Sequence, residues 1–410
     1  MKERIAELSG EVYVNGIFQI RRLEVDNFKG FKDFTIDLSP FTVVIGDNAV
    51  GKSSLLQVIA FLKYACTASV EEYMKDRGVT VDDIATKGLP KISRIMSFEI
   101  EFTYSDISVI TWSISFLLDK ANNRITLRTE NVTETRGEKQ IVWLDYNQKK
   151  GFRLRKDTSE RELITSGMYP SSLLKFVDER SGGAEYPVLV EIKNFFSESE
   201  LLDLLAPQHM RKTVRGKERT LGVSGEKLPS LIQQIHPVEK KKLLQNIQAA
   251  LPNMSEIRSV AGRAGWTHLE TEECYRDRRI NIQASGISDG TLRLMAFFSL
   301  EFLKKHGGIT LLDEVEDGIN VANIQNCLDY LRYYCDTNQQ QILLTTHSTV
   351  VLDYVEPEEI RYLYQNDEGF VKCIDFEALK DVKEKLKFLY PGEIILNSSR
   401  EDLIVPLVEE

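Results

Sequence analysis

The chain has 410 residues, 42% hydrophobic and 28% charged. That balance excludes wholesale disorder, because this much apolar surface offsets chain entropy, and no apolar run approaches the roughly 18 residues of a membrane span. The 52 basic and 62 acidic residues leave a net charge of −10, so any nucleic-acid contact has to come from a local basic strip.

A chain of this length predicts two or three compact units. No linker cuts it cleanly, and three parts are expected: residues 1–165, 166–280 and 281–410. The opening reads as sheet. Phe18, Ile20, Leu23, Val25 and Phe28 alternate at period two with one slip at Arg21-Arg22, and residues 34–38 alternate again before Pro40. Residues 41–45 form a short β-branched run, the pattern of a buried parallel strand, and residues 53–64 have apolar positions at helical spacing. Strands dominate from residue 96 to about 142, and the basic stretch 149–161 reads as a loop. Between 166 and 280 a mainly helical insertion is expected, with helices at 195–205, 228–235 and 239–251 punctuated by prolines. From residue 286 the order is helix (291–306), strand (309–312), helix (321–335), strand (341–345), which means an α/β layer with a parallel sheet.

Residues 46–53 read Gly46-Asp47-Asn48-Ala49-Val50-Gly51-Lys52-Ser53, a GxxxxGK[ST] loop between a buried strand and a helix. The two glycines let the backbone curl so that successive N–H groups face phosphate oxygens, and the helix N-terminus adds its positive dipole end. Lys52 would neutralise the β- and γ-phosphates and Ser53 would ligate Mg²⁺, with Ser54 closing the ATP-binding stretch. The apolar run 309–312 delivers Asp313 and Glu314 to the sheet edge, Asp313 toward Mg²⁺ and Glu314 toward the attacking water. Glu316 and Asp317 read equally as a solvated turn or as metal-site charge. His347 follows the next buried strand, 34 residues after Asp313, one βα repeat away. Ser288-Asp289-Gly290 stands at a helix start, where unpaired N–H groups either bind phosphate or are simply capped.

These residues together resemble the ABC-type ATPases of the RecF and SMC group, and most closely the ATPase module of OLD-like proteins. The opening residues 23–31, the loop 46–53, Asp313-Glu314, His347 and residues 287–291 are similar to that group's first strand, Walker A, Walker B, switch histidine and signature. The resemblance implies a P-loop fold of ABC type with an N-terminal β-rich lobe and a helical insertion. It implies ATP and Mg²⁺ as cofactors, with Glu314 and His347 catalytic. Ser288, Asp289 and Gly290 would act in trans on ATP held by a second protomer, so a homodimer or higher homo-oligomer is expected. Ala49 departs from a common glycine and Asn320 from a common histidine. Gln57 comes too early to be the glutamine that links Mg²⁺ to the insertion. Residues 391–397 also resemble the OLD-like tail.

Only 63 residues follow His347, too few for the Toprim nuclease domain of OLD nucleases, and His209, His236, His268 and His306 show no metal-ligand spacing. A nuclease or toxin effector is therefore expected in trans. No long heptad arm separates residues 64 and 280. Three basic clusters could touch DNA: one from Lys149 to Arg161; one of Arg211, Lys212, Arg215, Lys217 and Arg219, with residues 240–242 shortly after; and one of Arg276, Arg278 and Arg279. Five cysteines without a CxxC pair, and an N-terminus without an apolar core, fit reduced thiols in a cytoplasmic protein with no secretory signal. Three functions follow. The first is an ATP-dependent switch controlling a separate effector, which the resemblance places in anti-phage or toxin-type systems. The second is a RecF-like DNA-binding repair ATPase. The third is an ATP-bound scaffold that sequesters a toxic partner.

Overall fold

A computed structural model describes residues 18–88, 94–105, 108–156, 159–163, 169–177, 186–202, 206–217, 219–303 and 305–404. In chain order it contains β1 Gln19–Asp26, β2 Phe34–Asp37, β3 Phe41–Gly46, helix α1 Lys52–Thr67, β4 Ile95–Ser105, β5 Ser108–Asp119, β6 Arg124–Arg136, β7 Lys139–Asn147, β8 Gly151–Lys156 and β9 Ser159–Leu163. There follow α2 Pro187–Glu198, β10 Glu200–Leu202, β11 Val214–Arg215, α3 Leu228–Gln234, α4 Pro237–Ala250, β12 Met254–Ala261, β13 Trp266–Tyr275 and β14 Arg278–Gln283. The chain then runs through α5 Asp289–Phe298, β15 Ile309–Leu312, α6 Ile324–Asn338, β16 Gln341–Thr345, β17 Ile360–Gln365 and β18 Val371–Asp375. Two compact units result, one from residues 1–39, 57–198 and 365–373, the other from 40–56, 199–364 and 374–410.

The first unit is built on an eight-stranded antiparallel sheet in the order β2-β1-β4-β5-β6-β7-β8-β9. The slip in alternation at Arg21-Arg22 is a β-bulge: the β1–β4 register shifts between Ile20 and Arg22. Phe28, Phe61, Phe98 and Phe116 pack edge to face or tilted at 5.4–6.5 Å and are almost wholly buried. The stretch expected to be a basic loop is instead a hairpin. Its register sets Arg153 opposite Glu162 and Arg155 opposite Glu160.

In the second unit the strands run β10-β15-β16-β3-β17, and the four pairings are parallel. The registers Leu312–Leu344 and Leu344–Val43 set the carboxyl ends of β15 and β16 side by side, with β3 running on past them to Gly46. Each of these strands is buried on both faces, which favours mainly apolar runs rather than alternation. The expected helix at 195–205 ends sooner: Glu198 closes α2 and Glu200–Leu202 pairs in parallel with β15. Residues 254–283 are strands, not the end of a helical stretch, because Thr267, Leu269 and Thr271 bury alternate positions of β13. Among the described residues no helix is long and apolar enough to cross a membrane. All five cysteines are free, with Cys66, Cys327 and Cys335 buried.

Candidate functional site

The turn after β3 is set by its backbone. Gly46 has φ 146° and Gly51 φ 116°, conformations that suit glycine, and a Cβ on Gly46 would lie 2.3 Å from the Leu363 carbonyl oxygen of β17. Ala49 occupies the left-handed region at φ 60°, which explains why glycine is common at such a position. Asp47, Asn48 and Ala49 are exposed, Val50 is buried beneath the turn, and Ser53 is exposed on the first turn of α1 with Ser54 half-buried beside it. That first turn contains no acidic residue, so the positive helix end is left for an external anion.

Lys52 is only 5% exposed. Its Nζ donates to the carbonyls of Gly46 (2.8 Å) and Asp47 (2.9 Å) and lies 3.4 Å from His347 Nδ1. Burial lowers its pKa below the ordinary lysine value, an effect that Glu314, Asp313, Asp47 and Glu316 partly offset. No carboxylate among the described residues forms an ion pair with this ammonium. A buried cation held only by carbonyls and an imidazole, at a helix N-terminus, fits a polyphosphate as its partner.

Asp313 and Glu314 follow β15, and His347 follows β16. Thr345, the fully buried last residue of β16, ties the strands together: its hydroxyl donates to Asp313 Oδ1 (2.5 Å) and accepts from the Glu314 N–H (2.9 Å), while its carbonyl accepts the Val315 N–H (3.2 Å). Glu314 is turned into the left-handed region (φ 48°), and its Oε1 lies 3.2 Å from His347 Nε2. Both side chains are more than a third exposed, so the pair contributes little to stability. One imidazole thus bridges Lys52 and Glu314. Among the described residues no group of three or more His, Cys, Asp or Glu could hold a metal on its own. Ser53 and Asp313 fit instead a Mg²⁺ whose other ligands are phosphate oxygens and water.

Glu316 is neither a solvated turn nor a metal-site charge: its carboxylate accepts two backbone N–H groups of the segment after β16. Asn320 caps the turn Val321–Asn323, with Oδ1 accepting from the Ala322 N–H. Gln57 accepts from Lys29.

Ser288, Asp289 and Gly290 start α5. Ser288 and Asp289 are exposed, and Ser288 Oγ caps the helix by accepting the Thr291 N–H (3.2 Å). Ser288 therefore bonds within its own helix, not with the loop 46–54. Gly290 packs against the turn after Glu316, where an added Cβ would sit 2.4 Å from the Gly318 carbonyl oxygen. Arg211 clasps the same helix start, with Nη2 donating to the Ile287 carbonyl (2.7 Å) and to the Asp289 carboxylate. The second basic cluster is thus partly committed inside its own unit. Arg219 donates to the Gln234 carbonyl (2.8 Å), and nearby Lys242 donates to Glu301 (2.6 Å). Lys212, Arg215 and Lys217 remain exposed.

The tail motif 391–397 has a structural reason that sequence reasoning missed. Gly392 lies against the segment that follows His347, its N–H donating to Asp353 Oδ1 (3.0 Å), and a Cβ there would fall 2.0 Å from the Thr349 carbonyl oxygen. The signal was the Pro-Gly pair opening a helix (Pro391–Leu396), where only a close backbone approach calls for glycine at N2.

A family model described as "AAA domain, putative AbiEii toxin, Type IV TA system" matches residues 41–353. No curated protein sequence matches. Among solved structures, the chain is similar to an SMC head bound to the C-terminal winged-helix domain of ScpA, with a TM-score of 0.53 and 16% identity over 87% of this chain and 96% of that one. The SMC head domain from Thermotoga maritima overlays at a TM-score of 0.45 with 14% identity, over 87% of this chain and 98% of that one. The first overlay carries the fold assignment.

Proposed function

The chain belongs to the AAA-domain family whose model carries the AbiEii and type IV toxin–antitoxin description, with the ABC-type ATPase fold of the SMC and RecF group, and on that premise we propose that it is an ATP-hydrolysing switch. Lys52 and the N–H groups of residues 46–54 bind the triphosphate, and Ser53 and Asp313 hold Mg²⁺. The ion, when bound, supplies charge neutralisation on the β- and γ-phosphates. Glu314 accepts the proton of the attacking water, and His347 contacts the terminal phosphate. Ser288 and Gly290, exposed or half-exposed at a helix N-terminus, reach the nucleotide of a second copy, so ATP closes a dimer and hydrolysis opens it. The family description supports a role in which this cycle controls a separate effector in a toxin-type system.

The observation that carries this reading is the bridge of His347 between the Lys52 ammonium and the Glu314 carboxylate, beyond the carboxyl ends of three neighbouring parallel strands. A Glu314→Gln variant keeps shape and loses the base. It is expected to retain ATP binding, to lose turnover by on the order of 100-fold or more, and to accumulate as an ATP-bound dimer when mass is measured in solution with Mg²⁺-ATP. Turnover equal to wild type would refute the role of Glu314, and a monomeric, ATP-loaded variant would refute the dimer.

A further inference from the structure

Two loops meet at the site, one after β15 and one after β16, and the strands that lead into them are fixed by Thr345. Beyond Thr345 the second loop leaves the sheet, and the Glu316 carboxylate holds its backbone at His347 and Ser348. Glu316 Oε1 accepts the N–H of His347 (2.7 Å) and the N–H of Ser348 (3.0 Å). Ser348 N–H also reaches Thr346 Oγ1 (2.9 Å), whereas for the His347 N–H the Glu316 carboxylate is the acceptor. The second oxygen, Oε2, is buried without a hydrogen-bond partner among the described residues. It is closed to a hydrated metal ion, and a carboxylate is tolerated there because the two N–H groups on Oε1 satisfy its charge. The Glu316 backbone is itself pinned, since its carbonyl accepts the Ile319 N–H (3.0 Å).

We propose that Glu316 is the positioning residue of the switch. It holds the His347 backbone so that the ring lies between Lys52 and Glu314. The inference rests on the reading of His347 and Glu314 given above. Glu316 touches no reacting atom in this scheme; beyond a minor charge effect on Lys52, it acts by holding the His347 backbone. An imidazole that must contact one group at 3.4 Å and another at 3.2 Å tolerates little drift of its backbone, and a displacement of about 1 Å costs up to about 100-fold in rate.

The test uses the full chain and four variants: Glu316→Ala, Glu316→Gln, His347→Ala and the Glu316→Ala, His347→Ala double. Glu316→Ala is expected to lower kcat by on the order of 10- to 100-fold with KM for ATP nearly unchanged. It is also expected to speed hydrogen exchange of the His347 and Ser348 amides. Glu316→Gln keeps a carbonyl oxygen for both N–H groups and should restore amide protection and most of the rate, because the geometry Glu316 supplies outweighs its charge, the smallest of the four acidic influences on Lys52. In the His347→Ala background the further loss of Glu316 should cost no more than about 2-fold. Persistent amide protection in Glu316→Ala, a Gln variant as impaired as the Ala variant, or fully multiplicative effects in the double would each overturn the proposal. If the wild type turned over no ATP, the ATPase reading would fall, while the exchange data would still decide whether Glu316 holds the loop.

Discussion

Glu130 sits in mid-strand on β6, wholly buried, with Trp112 Nε1 (2.9 Å) and Ser172 Oγ donating to Oε1 and the Leu173 N–H (2.7 Å) donating to Oε2. Desolvation nevertheless outweighs these three donors and raises its pKa from the ordinary 4.5 to about 7. Between those values the folded chain holds a proton that the unfolded chain has lost. Stability therefore falls as pH rises: the contribution is complete below pH 4.5 and is gone once pH passes 7. A difference of this size corresponds to about 3 kcal/mol in all, of which about 2 kcal/mol lies between pH 5.5 and 8. In Glu130→Gln the amide cannot ionise, and either orientation leaves at least one donor without an acceptor, at about 1–3 kcal/mol. The variant should be the less stable protein at pH 5.5, and the gap to wild type should narrow by about 2 kcal/mol by pH 8. Urea unfolding followed by tryptophan fluorescence at the two pH values measures this, since Trp112 itself donates to the carboxylate. Parallel pH profiles for wild type and variant would show that the buried carboxyl titrates at its ordinary value and would refute the reasoning.

Two further outcomes follow from backbone geometry. Gly392→Ala forces a methyl group into the Thr349 carbonyl and should destabilise the second unit by roughly 1–3 kcal/mol; thermal unfolding reads this, and an unchanged midpoint would mean that the close approach is not real. Ala49→Gly should be nearly neutral, within about 0.5 kcal/mol, because relief of the left-handed strain at φ 60° is cancelled by the greater freedom of glycine in the unfolded chain. A loss above about 1 kcal/mol would show that the Ala49 side chain is needed for packing.

The parts of the molecule that sequence made legible are those whose physics is local. Strands β15 and β16 lie where their runs predicted, residue for residue, because a strand buried on both faces is mainly apolar, and its few polar residues, Thr310, Gln341 and Thr345, are themselves buried. The β1 bulge was visible as a broken alternation because only one face of β1 is buried. The turn 46–51 was legible because a backbone that curls into positive φ needs glycine at set intervals. By contrast, strands β8 and β9 hid within a stretch whose charged residues outnumber its apolar ones, so composition spoke for a loop.

Tertiary pairing explains what remained hidden in the site. Glu316, Arg211 and Gly392 act on groups 31, 78 and 39 residues away, with no local pattern to announce it. An acid beside a Walker-type carboxylate reads as metal-site charge until its acceptor role is seen. An arginine in a basic run reads as phosphate-binding until its fork is found on a carbonyl. The same holds for the buried carboxylates of β6. Glu134 takes hydrogen bonds from Ser108 (2.7 Å), Trp143 (3.0 Å) and Arg136, and such an acid can be placed in a core only by knowing its cross-strand neighbours. Charged residues are therefore where this chain departs most from its sequence reading, because burial reverses what a charge is for: at the surface it solvates, and inside it specifies which backbone groups must meet.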